Sequence, residues 1–212
     1  MFTGIIEESG IIRNIKKGTH SAVLTIAATI VLEDMKLGDS IAVNGICFTV
    51  TSHTNAAFTV DVMHETILRS SFGSLSAGAA VNLERAMPAC GRFGGHMVTG
   101  HIDGTGVIRS IQRDENAVWY RIRAQAGMLR YIVEKGSIAV DGISLTVANI
   151  SDADFGVSVI PHTAENTTLL QKRVGDTVNL ENDCVGKYIE KFLGETPRST
   201  KITKGFLAEA GY

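Results

Sequence analysis

The sequence lacks the features that mark several classes of protein. No apolar run approaches the roughly 20 residues that a membrane-spanning helix needs, and the N-terminus does not have the charged and then apolar pattern of a signal peptide. The formal net charge is only −2, which gives no electrostatic reason to expect binding to nucleic acid or to an anionic membrane. We therefore expect neither nucleic acid nor a membrane among its partners.

Cysteine is scarce, and motifs for metals and nucleotides are missing. The three cysteines, Cys47, Cys90 and Cys184, are an odd number without close pairing, which predicts free thiols in a reducing cytoplasm. No His-Glu-x-x-His or Cys-x-x-Cys occurs, so we expect no bound metal. The glycine-rich stretch 104–109 (GTGVIR) lacks the third glycine of a dinucleotide fingerprint, and no phosphate-binding loop is present. We expect no cofactor, and we interpret most of these glycines as turns.

The middle of the chain repeats its beginning. Adding 96 to the position numbers of the first fifteen residues aligns eight identical residues, where about one is expected by chance. With a shift of 97, residues 40–43 (SIAV) recur at 137–140 and residues 81–84 (VNLE) recur at 178–181. The repeat predicts two homologous domains, 1–96 and 97–184, followed by a tail at 185–212.

Each copy has the pattern of a small β-barrel. Six short β-rich runs alternate with glycine-rich turns, and a hairpin is indicated at Asn44-Gly45 because both turn positions tolerate positive φ. Only short helices are predicted, at 29–37 and 64–71. Closure of the sheet would leave no exposed edge. We predict a mainly β protein, with two tandem six-stranded antiparallel Greek-key barrels and a C-terminal α-helix.

The tail has an apolar helical stripe. Val185, Ile189, Phe192 and Leu193 share one helix face, and the helix is predicted to end before Pro197. A weaker helical pattern follows at 201–210. The stripe either packs on the barrels or joins subunits, and exposed apolar stripes favour the second interpretation.

Two positions differ chemically between the copies. His101 stands where the first copy has Ile5, which places a titratable group in one half only. Cys47 stands where the second copy has Ser144. A lone cysteine is compatible either with inert core packing or with a position facing a pocket. Acyl transfer by Cys47 and His101 would need a third orienting group, and the sequence does not indicate one.

Four motifs carry a resemblance to a known family: residues 1–7 (MFTGIIE), 44–50 (NGICFTV), 94–102 (GGHMVTGHI) and 141–147 (DGISLTV). Together with the repeat they resemble the riboflavin synthase family of the alpha-chain type, which is built from two lumazine-binding domains. The resemblance implies a transferase that moves a four-carbon unit between two molecules of 6,7-dimethyl-8-ribityllumazine. It also implies a cytoplasmic homotrimer joined by C-terminal helices, and it leaves association with lumazine synthase open.

The resemblance further implies two pockets and a catalytic group. The expected N-terminal pocket consists of Gly4, Ile5, Ile6, Cys47, Phe48, Thr49, Asp61, Val62, Met63, His64, Glu65 and Thr66. The expected C-terminal pocket consists of Gly100, His101, Ile102, Lys135, Ser144, Leu145, Thr146, Val159, Ile160, Pro161, His162, Thr163 and Ala164. The expected catalytic residues are Ser40, Cys47 and His101, with Phe2 and Thr3 closing the site. His162 departs from the family, which often has an acidic residue there.

A second interpretation is a binding protein. Some relatives of the same two-barrel plan carry a lumazine or flavin as a chromophore and perform no chemistry. A purely structural barrel is a third possibility, but it would not explain the polar groups that both copies keep at the same turns. The presence of Ser40, Cys47 and His101 favours the enzyme.

Overall fold

The computed structural model describes residues 1–19 and 21–194, and it contains two closed antiparallel barrels of six strands each. In the first barrel the strands are ordered β1-β2-β5-β4-β3-β6. The second barrel repeats this order, and the predicted fold class is confirmed. The first six strands are β1 (Glu8–Lys17), β2 (Ser21–Ala27), β3 (Ser40–Val43), β4 (Ile46–His53), β5 (Ala57–Met63) and β6 (Ala80–Arg85). The second six are β7 (Gly104–Asp114), β8 (Ala117–Arg123), β9 (Ser137–Val140), β10 (Ile143–Ile150), β11 (Asp154–Val159) and β12 (Thr177–Asn182).

The helices are short, and they lie between strands or after the last one. They are α1 (His64–Arg69), α2 (Ala126–Leu129), α3 (Pro161–Glu165) and α4 (Cys184–Gly194), with 3-10 turns at Ile30–Leu32, Ser71–Ser74 and Thr168–Gln171. None of the described helices has the length and apolarity that crossing a membrane requires. Helix α4 confirms the helix predicted at 185–193, whereas the pattern at 201–210 lies outside the described residues.

The predicted helix over 29–37 is wrong, because only Ile30–Leu32 forms a helical turn there. The carboxylate of Glu8 accepts hydrogen bonds from the backbone N–H of Thr29 (2.9 Å) and of Val31 (2.7 Å). These bonds hold the chain in a short turn, and β-branched residues at 30 and 31 are poor helix formers.

Alternation along the strands builds one apolar core in each barrel. In β5, Val60 and Val62 are buried while Asp61 and Met63 are exposed, as expected for a strand with one face inward. The first core includes Phe48 and the second Tyr120. The outward faces therefore carry the polar side chains that are available for binding.

The two barrels meet at their β-hairpin turns. Asn44 and Gly45 have φ values of 45° and 76°, and Asp141 and Gly142 have values of 45° and 81°, which confirms the predicted Asn-Gly turn. A Cβ atom on Gly45 would lie 2.6 Å from the backbone nitrogen of Gly142. Glycine is thus required here both for its positive φ and for the close approach of two backbones.

Four buried polar residues complete this joint, and we call them the central network: Asn44, Asn82, Asp141 and Asn179. The side-chain amide of Asn82 donates to the carbonyl of Asp141 (2.9 Å), and that of Asn179 donates to the carbonyl of Asn44 (2.9 Å). The network therefore follows the internal repeat and relates the barrels by an approximate twofold axis. The predicted domain boundary at 96/97 falls in the connection between β6 and β7, and it stays a prediction.

Candidate functional site

A cleft opens in the first barrel where two neighbouring strands separate. The ladder between β4 and β5 ends at the pair Val50–Val60, and beyond it β4 pairs with β3 while β5 pairs with β2. We call this opening, between 46–49 and 61–66, the first cleft. It exposes strand edges whose backbone groups can bind a planar heterocycle.

The second barrel has the equivalent opening. The ladder between β10 and β11 ends at Val147–Val157, while Val159 still pairs with β8. We call the space between 143–146 and 159–164 the second cleft. Two clefts of the same plan therefore lie in one chain.

Two extended segments cross between the barrels, and we call them the first arm (1–6) and the second arm (97–102). They pair with each other through Phe2 and Val98, with N–H to O distances of 2.7 and 3.1 Å. The first arm reaches the second cleft, where Gly4 O accepts from the N–H of Ser144 (2.8 Å). The second arm reaches the first cleft, where Gly100 O accepts from the N–H of Cys47 (2.9 Å).

The predicted distribution of the arms between the pockets is therefore wrong. Residues 4–6 belong with the hairpin of the second barrel, and residues 100–102 belong with that of the first. The apolar contacts agree, because Ile6 packs against the core of the second barrel and Ile102 against the core of the first. The local sequence pattern aligns each arm with its own barrel and contains no signal for this exchange.

Each arm is held by a buried glutamate of its own barrel. The Glu84 carboxylate accepts hydrogen bonds from the N–H of Thr3 (2.7 Å), the hydroxyl of Thr3 (2.9 Å) and the N–H of Gly4 (3.0 Å). Glu181 makes the same three bonds to Thr99 and Gly100. Burial raises the pKa of Glu84, and the hydrogen bonds from Thr3 and Gly4 partly oppose that rise. Sequence reasoning missed both glutamates, although they recur within the repeated VNLE motif.

Phe2 and Thr3 are placed in the joint between the barrels. Phe2 is fully buried in a cluster with Ala42, Val98 and Ala139. Thr3 is 6% exposed and is bonded to Glu84. Their contacts stabilise the arms, and the closing role predicted for them stays a prediction.

The first cleft brings together Cys47 and the segment that carries His101. Cys47 is half-buried and His101 is exposed, next to the glycine that binds the Cys47 backbone. Ser40 pairs with Thr49 and Ala42 pairs with Cys47, so these side chains share the outer face of the hairpin. Ser40 also borders a cavity of about 550 Å³ that extends away from the cleft, over β6 and residues 86–94.

We call residues 61–66 and 159–164 the far walls of the first and second clefts, and these two walls differ in charge. In the first cleft Asp61, His64 and Glu65 are exposed, and Glu65 forms an ion pair with Arg69 at 2.5 Å. In the second cleft His162 takes the place of Glu65, and its backbone carbonyl accepts from Asn166 (2.7 Å). The remaining predicted positions on these walls follow the strands: Phe48, Val62, Leu145, Val159 and Ala164 are buried, Met63, Thr146, Ile160 and Pro161 are exposed, and Thr66 and Thr163 are half-buried.

Lys135 lies beside the second barrel in an unusual conformation. Its φ is 66°, in the left-handed region, whereas the first copy has Gly38 with φ 86° at the equivalent position. The backbone N–H of Lys135 donates to Val147 O (2.8 Å), and that of Gly38 donates to Val50 O (2.9 Å). A non-glycine residue held in this region costs of order 1 kcal/mol, which is compatible with selection for its side chain.

The second cleft contains a histidine–serine pair that the sequence did not reveal. His96 Nδ1 lies 2.7 Å from Ser144 Oγ. Burial lowers the pKa of His96, and the charges of Asp183 and Glu181 partly oppose that effect. His96 enters the sequence-based predictions only as part of the motif at 94–102, with no role assigned to it. No group of three or more His, Cys, Asp or Glu within residues 1–19 and 21–194 is arranged to hold a metal ion.

Comparison with known proteins identifies the family. The profile described as "Lumazine binding domain" matches residues 3–86 and 99–183. Riboflavin synthase of Actinobacillus pleuropneumoniae is 56% identical over the full length of both chains, and that of Bacillus subtilis is 50% identical over the full length of both chains. The chain belongs to the riboflavin synthase family. The two profile matches coincide with the two barrels and include residues 3–6 of the first arm and 99–102 of the second.

Solved structures similar to this member of the riboflavin synthase family include LumP. The structure of LumP complexed with 6,7-dimethyl-8-(1'-D-ribityl) lumazine matches with a TM-score of 0.79 and 26% identity, covering 86% of this chain and 99% of LumP. LumP complexed with riboflavin matches with a TM-score of 0.80 and 27% identity over the same shares of the chains. The chain is thus similar to riboflavin synthases at high sequence identity and to ligand-bound LumP at lower sequence identity.

Proposed function

We propose that this chain is a riboflavin synthase that converts two molecules of 6,7-dimethyl-8-ribityllumazine to riboflavin and 5-amino-6-ribitylamino-uracil. The observation that carries the proposal is a pair of clefts of one plan, in a chain that is 56% identical over its full length to a riboflavin synthase. A reaction between two identical substrates needs two similar sites, and the duplication supplies them. The two substrates together contain all the atoms of both products, so no oxidant, reductant or cofactor is needed for balance.

The open strand edges provide the sites for the heterocycles. Backbone groups of 46–49 and 143–146 are proposed to pair with the pyrimidinedione edge of each lumazine. The ribityl chain would then lie along the far wall, against Asp61, Glu65 and Thr66 in the first cleft and against His162 and Thr163 in the second. Because the carboxylates occur only in the first cleft, we propose that the ribityl chain is held there by stronger, charge-assisted bonds.

The chemistry begins with loss of a proton from the C7 methyl of one lumazine. His101 is the proposed carrier of that proton, and Cys47 or Ser40 is proposed to activate the nucleophile at the acceptor carbon. The proximity of the second arm to Cys47 supports placing both groups in one site. Most of the acceleration is attributed to holding two rings stacked and aligned.

Assembly into a homotrimer is proposed from the surface of α4. Val185, Ile189 and Phe192 are 46%, 53% and 70% exposed, while the polar side of the helix contacts its own barrel through the Lys187–Asp103 ion pair at 2.6 Å. An apolar face left open beside a docked polar face suits contact between subunits. Sedimentation is expected to give three times the 22.7 kDa chain mass, and Phe192→Lys is expected to lower it. The cytoplasmic location and the association with lumazine synthase stay predictions.

The deciding experiment follows turnover of the pure protein with 6,7-dimethyl-8-ribityllumazine in the presence of a chelator. Riboflavin is expected to form at half the rate of lumazine loss. Tight binding of lumazine without turnover would instead favour a ligand carrier like LumP, and absence of both would contradict the proposed function.

A variant then tests the site. Cys47→Ala is expected to lower turnover by about tenfold or more while leaving the unfolding midpoint near that of the parent. Cys90→Ala is the matched control, because Cys90 is an exposed thiol outside both clefts. Full activity of Cys47→Ala would remove this residue from the mechanism.

A further inference from the structure

His96 joins the first arm to the hairpin of the second barrel through a closed ring of hydrogen bonds. The N–H of Ser144 donates to Gly4 O (2.8 Å), and the N–H of His96 donates to Thr3 O (3.1 Å). The ring closes where His96 Nδ1 meets Ser144 Oγ at 2.7 Å. Both the backbone and the side chain of His96 therefore fix the edge of the second cleft.

The preceding glycine makes this approach possible. A Cβ atom on Gly95 would lie 2.2 Å from Thr3 O and 2.8 Å from Ser144 Oγ. Both distances are too short for any side chain, so only glycine lets the chain bring His96 against Ser144. The close approach of His96 to Ser144 therefore depends on glycine at position 95.

Within residues 1–19 and 21–194, the first cleft shows no equivalent of the bond between His96 and Ser144. At the place of Ser144 the first cleft has Cys47, whose backbone makes the equivalent bond to Gly100. In the described part of the chain, no side chain forms a hydrogen bond with the Cys47 thiol. Among the described residues, support of this kind by an imidazole therefore occurs at the second cleft.

The direction of the His96–Ser144 bond follows from burial. A neutral imidazole carries one N–H, and Nε2 of His96 is buried without a hydrogen-bond partner within the described residues. A buried N–H without an acceptor is rarer than an unpaired acceptor. The proton is therefore assigned to Nδ1, which donates to Ser144 Oγ. The hydroxyl proton of Ser144 then remains available to an acceptor in the cleft.

We propose that His96 is a positioning residue that orients the Ser144 hydroxyl to donate a hydrogen bond to a carbonyl or ring nitrogen of the heterocycle in the second cleft. This inference rests on the proposed function. Ser144 is half-buried at the open edge of β10, beyond the end of the ladder with β11, where a ligand can approach it. The first cleft binds its heterocycle without such a fixed hydroxyl, so the two sites differ in their recognition of the same ring.

The test is a double-mutant cycle on the full-length protein, with riboflavin as the probe and flavin fluorescence as the signal. His96→Ala and Ser144→Ala are each expected to weaken one class of riboflavin site by about three- to tenfold. Their combination is expected to be no weaker than the worse single variant, because His96 acts through Ser144. His96→Asn is expected to restore affinity, since its side-chain amide can donate in place of Nδ1–H.

Matched variants separate this proposal from simple loss of structure. Cys90→Ala, which alters an exposed thiol outside both clefts, is expected to leave the affinity of the affected class unchanged. Losses that add in the double variant, or wild-type affinity in His96→Ala, would overturn the proposal. If His96→Ala alone unfolds, Ser144→Ala and His96→Asn decide the question. Unaltered riboflavin affinity in Ser144→Ala would contradict the proposal, and so would weakened affinity in His96→Asn.

Failure of the proposed function gives a different result. A wild-type protein that binds riboflavin but makes none from lumazine would contradict riboflavin synthesis and still allow the cycle to be measured. A wild-type protein that turns over normally, together with an additive cycle, would contradict only the role of His96.

Discussion

In the first barrel Asn44 begins the turn between β3 and β4, and in the second barrel Asp141 holds the same place between β9 and β10. Both accept the same backbone hydrogen bond at 2.8 Å, Asn44 from Asn82 and Asp141 from Asn179. Asp141 additionally forms an ion pair with Lys172 at 2.8 Å, and the repeat places Leu75 at the position of Lys172. The neutral residues Asn44 and Leu75 of the first barrel therefore correspond to the charged residues Asp141 and Lys172 of the second. The backbone hydrogen bond at the turn is the same in both barrels.

The clefts diverge more than the scaffold does. Cys47 is replaced by Ser144, the arm residue His101 by Ile5, and Glu65 by His162, whereas the glutamates that hold the arms are retained. Side chains that form hydrogen bonds with backbone groups are therefore constrained by the fold that both copies share. Positions facing the clefts are free to specialise, as donor and acceptor sites for one substrate would require.

The largest expected effect comes from breaking the charged pair of the second barrel. Lys172→Leu leaves Asp141, which is fully buried, without its cation, and we expect the free energy of unfolding to fall by about 3–5 kcal/mol. Urea unfolding measures the change. The double variant Asp141→Asn/Lys172→Leu copies the first barrel and is expected to recover most of the loss. Equal instability of both variants would show that the barrels are not interchangeable at this joint.

Substitution of the two arm-holding glutamates tests the exchange of the arms. Glu84→Gln and Glu181→Gln each place an amide N–H against backbone donors, and each is expected to lower the free energy of unfolding by about 1–3 kcal/mol. Amide hydrogen exchange is the sharper measurement. Glu84→Gln is expected to accelerate exchange at Ser144 in the opposite barrel, and Glu181→Gln at Cys47. Acceleration confined to the hairpin of the same barrel would contradict the exchanged arrangement.

The pH dependence of stability tests His96, which contacts Ser144 at the second cleft. Because burial lowers the pKa of His96, the native state binds fewer protons than the unfolded chain just below the ordinary value near 6.5. The stabilisation is complete above that pH, and it is lost as the pH falls through the pKa of the folded state, by at most about 1.4 kcal/mol per pH unit. His96→Asn is expected to remove this slope. Ser144→Ala, which keeps the imidazole buried, is expected to retain it.

The smallest expected change concerns Gly38 and Lys135, the equivalent residues with positive φ in the two copies. Lys135→Gly introduces the residue that the first copy has at position 38. Glycine relieves the strain of the positive φ in the folded state but gives the unfolded chain more conformational entropy, so the free energy of unfolding is expected to change by less than about 1 kcal/mol. Lumazine affinity is expected to fall if the ammonium group contacts substrate. A matched Gly38→Lys variant has open space around its Cβ, and it is expected to fold. Unaltered lumazine affinity in Lys135→Gly would remove this residue from the predicted site.

Local patterns predicted most of the architecture. The repeat predicted two barrels, and Asn44-Gly45 predicted a hairpin because the required positive φ values depend only on adjacent residues. Apolar and polar residues alternate over 57–63, and these residues form β5. These features are determined by neighbours in the sequence, where steric preferences and periodicity are visible.

Long-range pairing was invisible to the same reasoning. The contact of Gly4 with Ser144 joins residues 140 positions apart, whereas the pockets expected from the family resemblance grouped Gly4 with Cys47. The bond between His96 and Ser144 likewise joins residues 48 positions apart, so no local pattern indicates it. The buried glutamates could have been inferred from the repeated VNLE motif, since an acid retained in an apolar strand requires donors.

The exchange of arms also bears on how such a chain could have originated. A single barrel of this kind would have an arm that reaches away from it and a cleft edge that lacks one. Two identical copies would satisfy both needs by an isologous, domain-swapped association about a twofold axis. The backbone contact between Gly45 and Gly142 lies where that axis would pass. The present molecule then has the geometry of a symmetric dimer whose protomers became covalently continuous, after which each half was free to evolve its own chemistry.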